Sequence, residues 1–176
     1  MIANTRIRVQ HSARRAGGLR AKRAGGEFEK LILASRCYGV TLHRIENFAK
    51  RIGGGKMVEI KSPYDFAGVI SGTGIFFDAK TVQDGTGFRV HDQKIVKLHQ
   101  LDALRSLQIN GAIAGFMVRC GRMRDYRFLP ALEAMSLAQR GESAKWNNPA
   151  WFILGPIGEP VPLQRLLRWL RYAPNL

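Results

Sequence analysis

Apolar positions along the chain switch between two periods. Over residues 27–38 (EFEKLILASRCY) Phe28, Leu31, Ile32 and Ser35 recur at helical spacing, and Gly39 follows as a stop. Val40–Arg44 and Val58–Ile60 are short strand candidates on either side of a basic connector that carries Gly53, Gly54 and Gly55. Two apolar runs, Phe66–Ile70 and Ile75–Lys80, flank Ser71-Gly72-Thr73-Gly74, which is the pattern of a β-hairpin. Residues 82–90 make a polar, glycine-containing loop. A helix is predicted over Asp92–Leu107, although its leucines at 98, 101, 104 and 107 drift around the axis. Ala112–Val118, with six of seven residues apolar, has the pattern of a buried strand, with Tyr126–Leu129 as its neighbour. Ala131–Gln139 is helical, and 146–162, with prolines at 149, 156, 160 and 162, is irregular. Leu163, Leu166, Leu167 and Leu170 then form a helical apolar face opposite Arg165, Arg168 and Arg171, a solvated face or a DNA-backbone contact. This order of elements predicts an α/β domain on a mixed central sheet, without internal repeats.

Length and composition narrow the class. The 176 residues suit one domain with a sizeable core, and 45% hydrophobic content excludes a disordered basic tail. No run of ~18 apolar residues is present to cross a membrane, and the start, MIANTRIRVQ, lacks the apolar core of a secretory signal. Cys37 and Cys120 have no paired spacing for zinc or a disulfide framework, so both are expected to be buried small hydrophobes in a cytoplasmic, reducing setting. Lys and Arg number 28 against 13 Asp and Glu, a net charge of +15, which points to a polyanion and most often to nucleic acid. Residues 1–26 hold seven of these cations and no acid, together with four glycines. They read as a basic arm ahead of a single domain over 27–176. Arg14, Arg15, Arg20, Lys22 and Arg23 are its candidate phosphate contacts, with a solubilising tail as the plainer alternative.

The candidate chemistry lies in the hairpin. Alternation along a strand puts Asp78 and Lys80 on one face and Phe77 and Ala79 on the other. A hairpin register brings Asp65, at the mouth of the first strand, beside Asp78. Two adjoining carboxylates repel unless a cation lies between them. Mg²⁺ suits such a pair, because it binds through one or two carboxylates plus waters and a substrate phosphate. Lys80 would then orient the attacking water or neutralise developing charge. The plainer reading of these residues is a surface ion pair. Lys61, nearby, is either a phosphate contact or a solvated lysine.

These residues also carry a resemblance. The spacing D-x(12)-D-x-K resembles the PD-(D/E)xK nuclease motif. The block KSPYDFAGVISGTGIFFDAKT, followed by GF and by Leu98-His99-Gln100-Leu101, resembles the RecU-type Holliday junction resolvases. Upstream, Gly26-Glu27-Phe28-Glu29-Lys30-Leu31-Ile32 is similar to the helix that opens that family's domain, so the likeness spans roughly residues 25–120. It implies a restriction-endonuclease-like fold, a mixed central sheet flanked by helices, and a homodimer. It also implies Mg²⁺-dependent nicking, with Mn²⁺ as a substitute, of paired strands at four-way DNA junctions in recombination, repair or phage DNA processing. Carried over by position, Asp65 and Asp78 are metal ligands and Lys80 is the catalytic lysine. Glu29 is the helix acid that reaches the metal, with Glu27 as its local competitor. Gln100 lies on the helix near the active site, beside His99. The chain departs from the family in having Asp78 where Glu is usual, and in a connector over 44–62 shorter than the family's projecting stalk. That second departure motivates another reading, a nuclease of the same fold acting on duplex, flap or single-stranded DNA. The charge by itself equally suits a non-catalytic nucleic-acid-binding protein.

Overall fold

A computed structural model of the chain describes residues 23–35, 39–51 and 57–172. Helix α1 (23–34) leads into strands β1 (Val40–Arg44), β2 (Phe48–Arg51), β3 (Met57–Ile60), β4 (Phe66–Ile70), β5 (Thr73–Val82) and β6 (Gly87–Phe88). Helix α2 (Leu98–Ile109), strands β7 (Ile113–Cys120) and β8 (Asp125–Pro130) and helix α3 (Ala131–Gln139) follow. The chain ends in β9 (Ala144–Lys145), β10 (Phe152–Pro156) and α4 (Arg165–Tyr172).

The sheet grows from the predicted hairpin, which has a tighter turn than its sequence suggests. Ile70 faces Thr73, so only Ser71 and Gly72 form the turn. Their φ angles of 47° and 85° are both left-handed, as in a type I′ turn, whose twist matches that of the strands it joins. Thr73 and Gly74 therefore belong to β5. The six-stranded sheet has the order β1-β4-β5-β7-β8-β10. β5 and β7 run parallel, and the other neighbours run antiparallel. β7 alternates between two cores. Ile113 and Met117 pack with Phe28 and Ile32 of α1 and Leu166 of α4. Ala114, Phe116 and Val118 pack with Leu101 and Leu104 of α2 and Ala131, Ala134 and Leu137 of α3. The result is a mixed sheet flanked by helices, as the restriction-endonuclease-like expectation requires.

Several boundaries differ from those predicted, each for a local reason. α1 covers 23–34 and takes in Gly25 and Gly26, which count against a helix by propensity but face open space. α2 starts at Leu98 instead of Asp92, because Ile95 and Val96 donate back to the Asp92 carbonyl at 2.8 and 3.0 Å. Lys97, extended at ψ 144°, then caps the helix. The stretch read as irregular contains β10, an edge strand whose Pro156 stands at its end, where no ladder hydrogen bond is lost. Within the basic connector, β2 and β3 pair as a separate ribbon, with Phe48 opposite Ile60. The polar loop over 82–90 contains β6, paired with β9. Arg165 is more than a solvated charge, since its Nη1 donates to the Leu154 carbonyl at 2.5 Å, while Arg168 is exposed. The side chains of Leu170 and Arg171 lie outside those described. Cys120 is buried as expected, and Cys37 lies outside the described residues.

Glycine makes two close strand approaches possible. A Cβ on Gly115 would sit 2.1 Å from the Leu129 carbonyl oxygen, and one on Gly68 would sit 2.0 Å from that of Thr41. Gly115→Ala is expected to destabilise the protein by about 3 kcal/mol or more, because rigid backbone cannot yield as a side chain does. Gly25→Ala, with nothing within 4 Å, is expected to stabilise by up to about 1 kcal/mol. Urea unfolding midpoints of the two variants test this contrast.

Candidate active site

The hairpin register aligns two acids. Phe66 pairs with Phe77, which puts Asp65 opposite Asp78 at the next step. Asp65 is fixed through its backbone: its N–H donates to the Phe77 carbonyl at 3.1 Å, and its carbonyl accepts from Ile45 N–H at 2.7 Å. Its Oδ2 accepts from Ala79 N–H at 2.8 Å, which turns the carboxylate toward β5. The segment before it is held as well. Ser62 Oγ donates to the Tyr64 carbonyl at 2.6 Å, Ser62 N–H donates to Asn47 Oδ1 at 2.9 Å, and the Tyr64 ring meets Phe76 edge-on at 5.4 Å.

Asp78 is 1% exposed, so its position in the sheet takes the carboxyl out of water. Its Oδ1 accepts from Gln100 Nε2 at 2.8 Å. Gln100 Oε1 accepts in turn from Lys97 N–H at 3.1 Å, so one amide joins the start of α2 to the acid on β5. The buried Oδ2 has no well-directed hydrogen bond, and the Lys80 ammonium meets it as a counter-charge at 2.6 Å. Burial pushes the Asp78 carboxyl up to about 7. The Lys80 charge works against this shift and the Asp65 charge adds to it. An acid whose folded pKa exceeds its unfolded value of 3.8 keeps its proton longer in the folded state. Stability from this group is therefore full at low pH and is lost as pH rises toward 7. In chelator, the melting temperature of Asp78→Asn is expected to gain on that of wild type by a growing margin between pH 5 and pH 8. Thermal denaturation at both pH values measures that difference.

The other sequence candidates fall in different places. Glu29, on α1, is not gathered with the two aspartates: its Oε2 lies 3.0 Å from Arg44 Nη2 on β1. Glu27 is more exposed and lies 3.4 Å from Arg23, one helical turn before it. His99 is exposed on the first turn of α2, with its neighbour Gln100 turned inward. Lys61 is exposed just after β3. Arg14, Arg15, Arg20 and Lys22 lie outside the described residues, and Arg23 is exposed at the start of described α1. Among the described residues no set of three or more His, Cys, Asp or Glu side chains gathers as a metal cage. The site instead offers a pair of carboxylates, one of whose buried oxygens is neutralised by the Lys80 ammonium. This donor set fits a hard cation that completes its shell with water and phosphate.

Hydrophobic periodicity gives no sign of the groups that brace this pair, Asn47 and Ser62, because both act through polar contacts in irregular segments. It also gives no sign of the ion pair of Arg127, 2% exposed, which grips both oxygens of Asp125 at 2.8 Å and fixes the loop after β9 through the Trp146 carbonyl. Its only sequence trace is a charged pair inside an apolar strand. No helix of the described residues is long and apolar enough to cross a membrane. No curated protein matches the chain. The model of the family RecU, recombination protein U, matches residues 30–149, a span that includes Asp65, Asp78, Lys80 and Gln100.

Proposed function

The chain belongs to the RecU family of Holliday junction resolvases, and from that premise we propose that it is a Mg²⁺-dependent endonuclease that resolves four-way junctions by paired nicks as a homodimer. The family's role is in recombination, and its members are nucleases that act on Holliday junction DNA. The observation that carries the finer reading is the Asp65–Asp78 pair, with the buried Asp78 Oδ2 held against the Lys80 ammonium.

Each residue has a distinct task in this reading. Asp65 and Asp78 hold the cation. The chemistry that Mg²⁺ supplies when bound is that of a Lewis acid, which makes water a better nucleophile and offsets negative charge at phosphorus. Gln100 occupies Asp78 Oδ1 and so leaves Oδ2 to Lys80. Lys80 brings an ammonium to the same point, where it orients the attacking water and offsets charge on the phosphate. Exposed Lys and Arg side chains hold the DNA backbone without reading its sequence. Two copies related by a two-fold axis would present two such sites to the two strands of one junction.

The test compares a synthetic four-way junction with a linear duplex of equal length, in Mg²⁺, Mn²⁺ or chelator. The expected result is symmetric nicks in the junction with either metal, none in chelator, and little cutting of the duplex. Cutting that survives chelator overturns the metal dependence, and equal cutting of both DNAs overturns junction selectivity. Light scattering of the free protein at micromolar concentration is expected to give twice the 19.7 kDa chain mass.

A further inference from the structure

Beside Lys80 the end of the sheet opens into a groove of about 710 Å³. The chain from Thr81 to Arg89 makes most of its lining, with Ile95 and Ser143 across from it. Because Lys80 belongs both to this groove and to the carboxylate site, anything lying in the groove adjoins the point of attack.

The groove is built rather than loose. β6 crosses it and pairs with β9 so closely that a Cβ on Gly87 would sit 2.5 Å from the Ala144 carbonyl oxygen. Gly121 packs against the lining segment itself, where a Cβ would fall 2.7 Å from the Gln83 carbonyl oxygen. Trp146 Nε1 donates to the Gly85 carbonyl at 2.9 Å. Phe88 is fully buried against Phe116 and Trp151. A pre-formed site loses little freedom when it fills.

Its chemistry selects the occupant. Gln83, Thr86 and Ser143 are neutral groups that both donate and accept, as contacts to sugars and base edges require. Asp84, also in the lining, disfavours a phosphate within the groove. Arg89, 63% exposed and only loosely paired with Asp92 at 3.5 Å, offers a phosphate contact at the groove's edge in addition to Lys80. We infer that this groove receives the nucleotides of the cut strand that adjoin the scissile phosphate on one side. The inference rests on the proposed reading of Asp65, Asp78 and Lys80 as the cutting site. It adds where the strand runs and which residues hold its sugars and bases.

The test fills the groove and empties the DNA at the same point. Thr86 is exposed, so Thr86→Trp can occupy the groove without disturbing the core, and Gln83→Ala serves as a second, milder variant. Junctions carry abasic residues at two positions, either upstream or downstream of the scissile phosphate. Wild type is expected to cut one of these substrates about tenfold more slowly than the intact junction, and Thr86→Trp to cut the intact junction about tenfold more slowly. On that one side the two losses should not multiply, whereas on the other side they should. Losses that multiply on both sides, or a Thr86→Trp protein that cuts as wild type does, overturn the proposal. Occupancy is scored separately from cutting by 2-aminopurine at the same positions, bound in chelator. A fluorescence change on one side that Thr86→Trp removes supports the groove even where nothing is cut. An identical change with both proteins counts against it.

Discussion

Asp78→Asn is expected to lower junction cleavage on the order of 10³-fold, while junction binding stays at wild-type affinity. The substitution removes one negative charge and keeps the shape, so the amide oxygen can still accept from Gln100 Nε2. What it loses is the buried anionic oxygen that faces Lys80, which is half of the proposed cation site. Binding survives because phosphate contacts come from surface Lys and Arg and not from this carboxylate. Single-turnover cleavage of a labelled junction and a gel-shift titration in chelator separate the two effects. An Asp78→Asn protein that cuts like wild type would place the reaction elsewhere.

Lys80→Ala is expected to slow the cleavage step on the order of 10²-fold, with little change in junction affinity. The ammonium is only 23% exposed and touches a buried oxygen, so its charge acts with little screening by water. Lys80→Arg should not restore the rate, because a planar guanidinium cannot take the place of a compact ammonium in contact at 2.6 Å. The variant has a second readout that does not depend on turnover. The Lys80 charge lowers the Asp78 pKa, so its loss moves that carboxyl further up. In chelator the pH-dependent fall in stability should then extend to higher pH than in wild type. A change in rate without that shift would mean that Lys80 and Asp78 are not coupled as the structure has them.

The parts of the fold legible in the sequence were those governed by a strict local period. β1 and α3 stand where the apolar pattern puts them, and the hairpin of β4 and β5 follows from two apolar runs around Ser71 and Gly72. Alternation alone assigned Asp78 and Lys80 to one face, and the register then explains why Asp65 meets them. Less legible were elements whose identity depends on tertiary partners. β10 hides among prolines because an edge strand tolerates them. The start of α2 depends on one extended residue, Lys97, which no break in the sequence over 92–107 marks. α1 begins earlier than its apolar stripe because Gly25 and Gly26 can be helical without packing on anything. The pairing of Glu29 with Arg44, across α1 and β1, has no sequence signal at all.

The two-residue turn also bears on the order in which the site is assembled. A hairpin of this kind closes in roughly 1–10 μs, far ahead of pairings between strands distant in sequence. Asp65 and Asp78 therefore meet while the hairpin is still wet and their repulsion is weak. β7, which must lie parallel to β5, and α2, which brings Gln100, arrive afterwards. The desolvation of Asp78 is thus deferred to that late docking step and becomes a barrier to completing the fold. Mild acid, which protonates Asp78 before it is buried, is expected to lower that barrier, so the two carboxylates proposed to serve the cut would also shape how the chain matures.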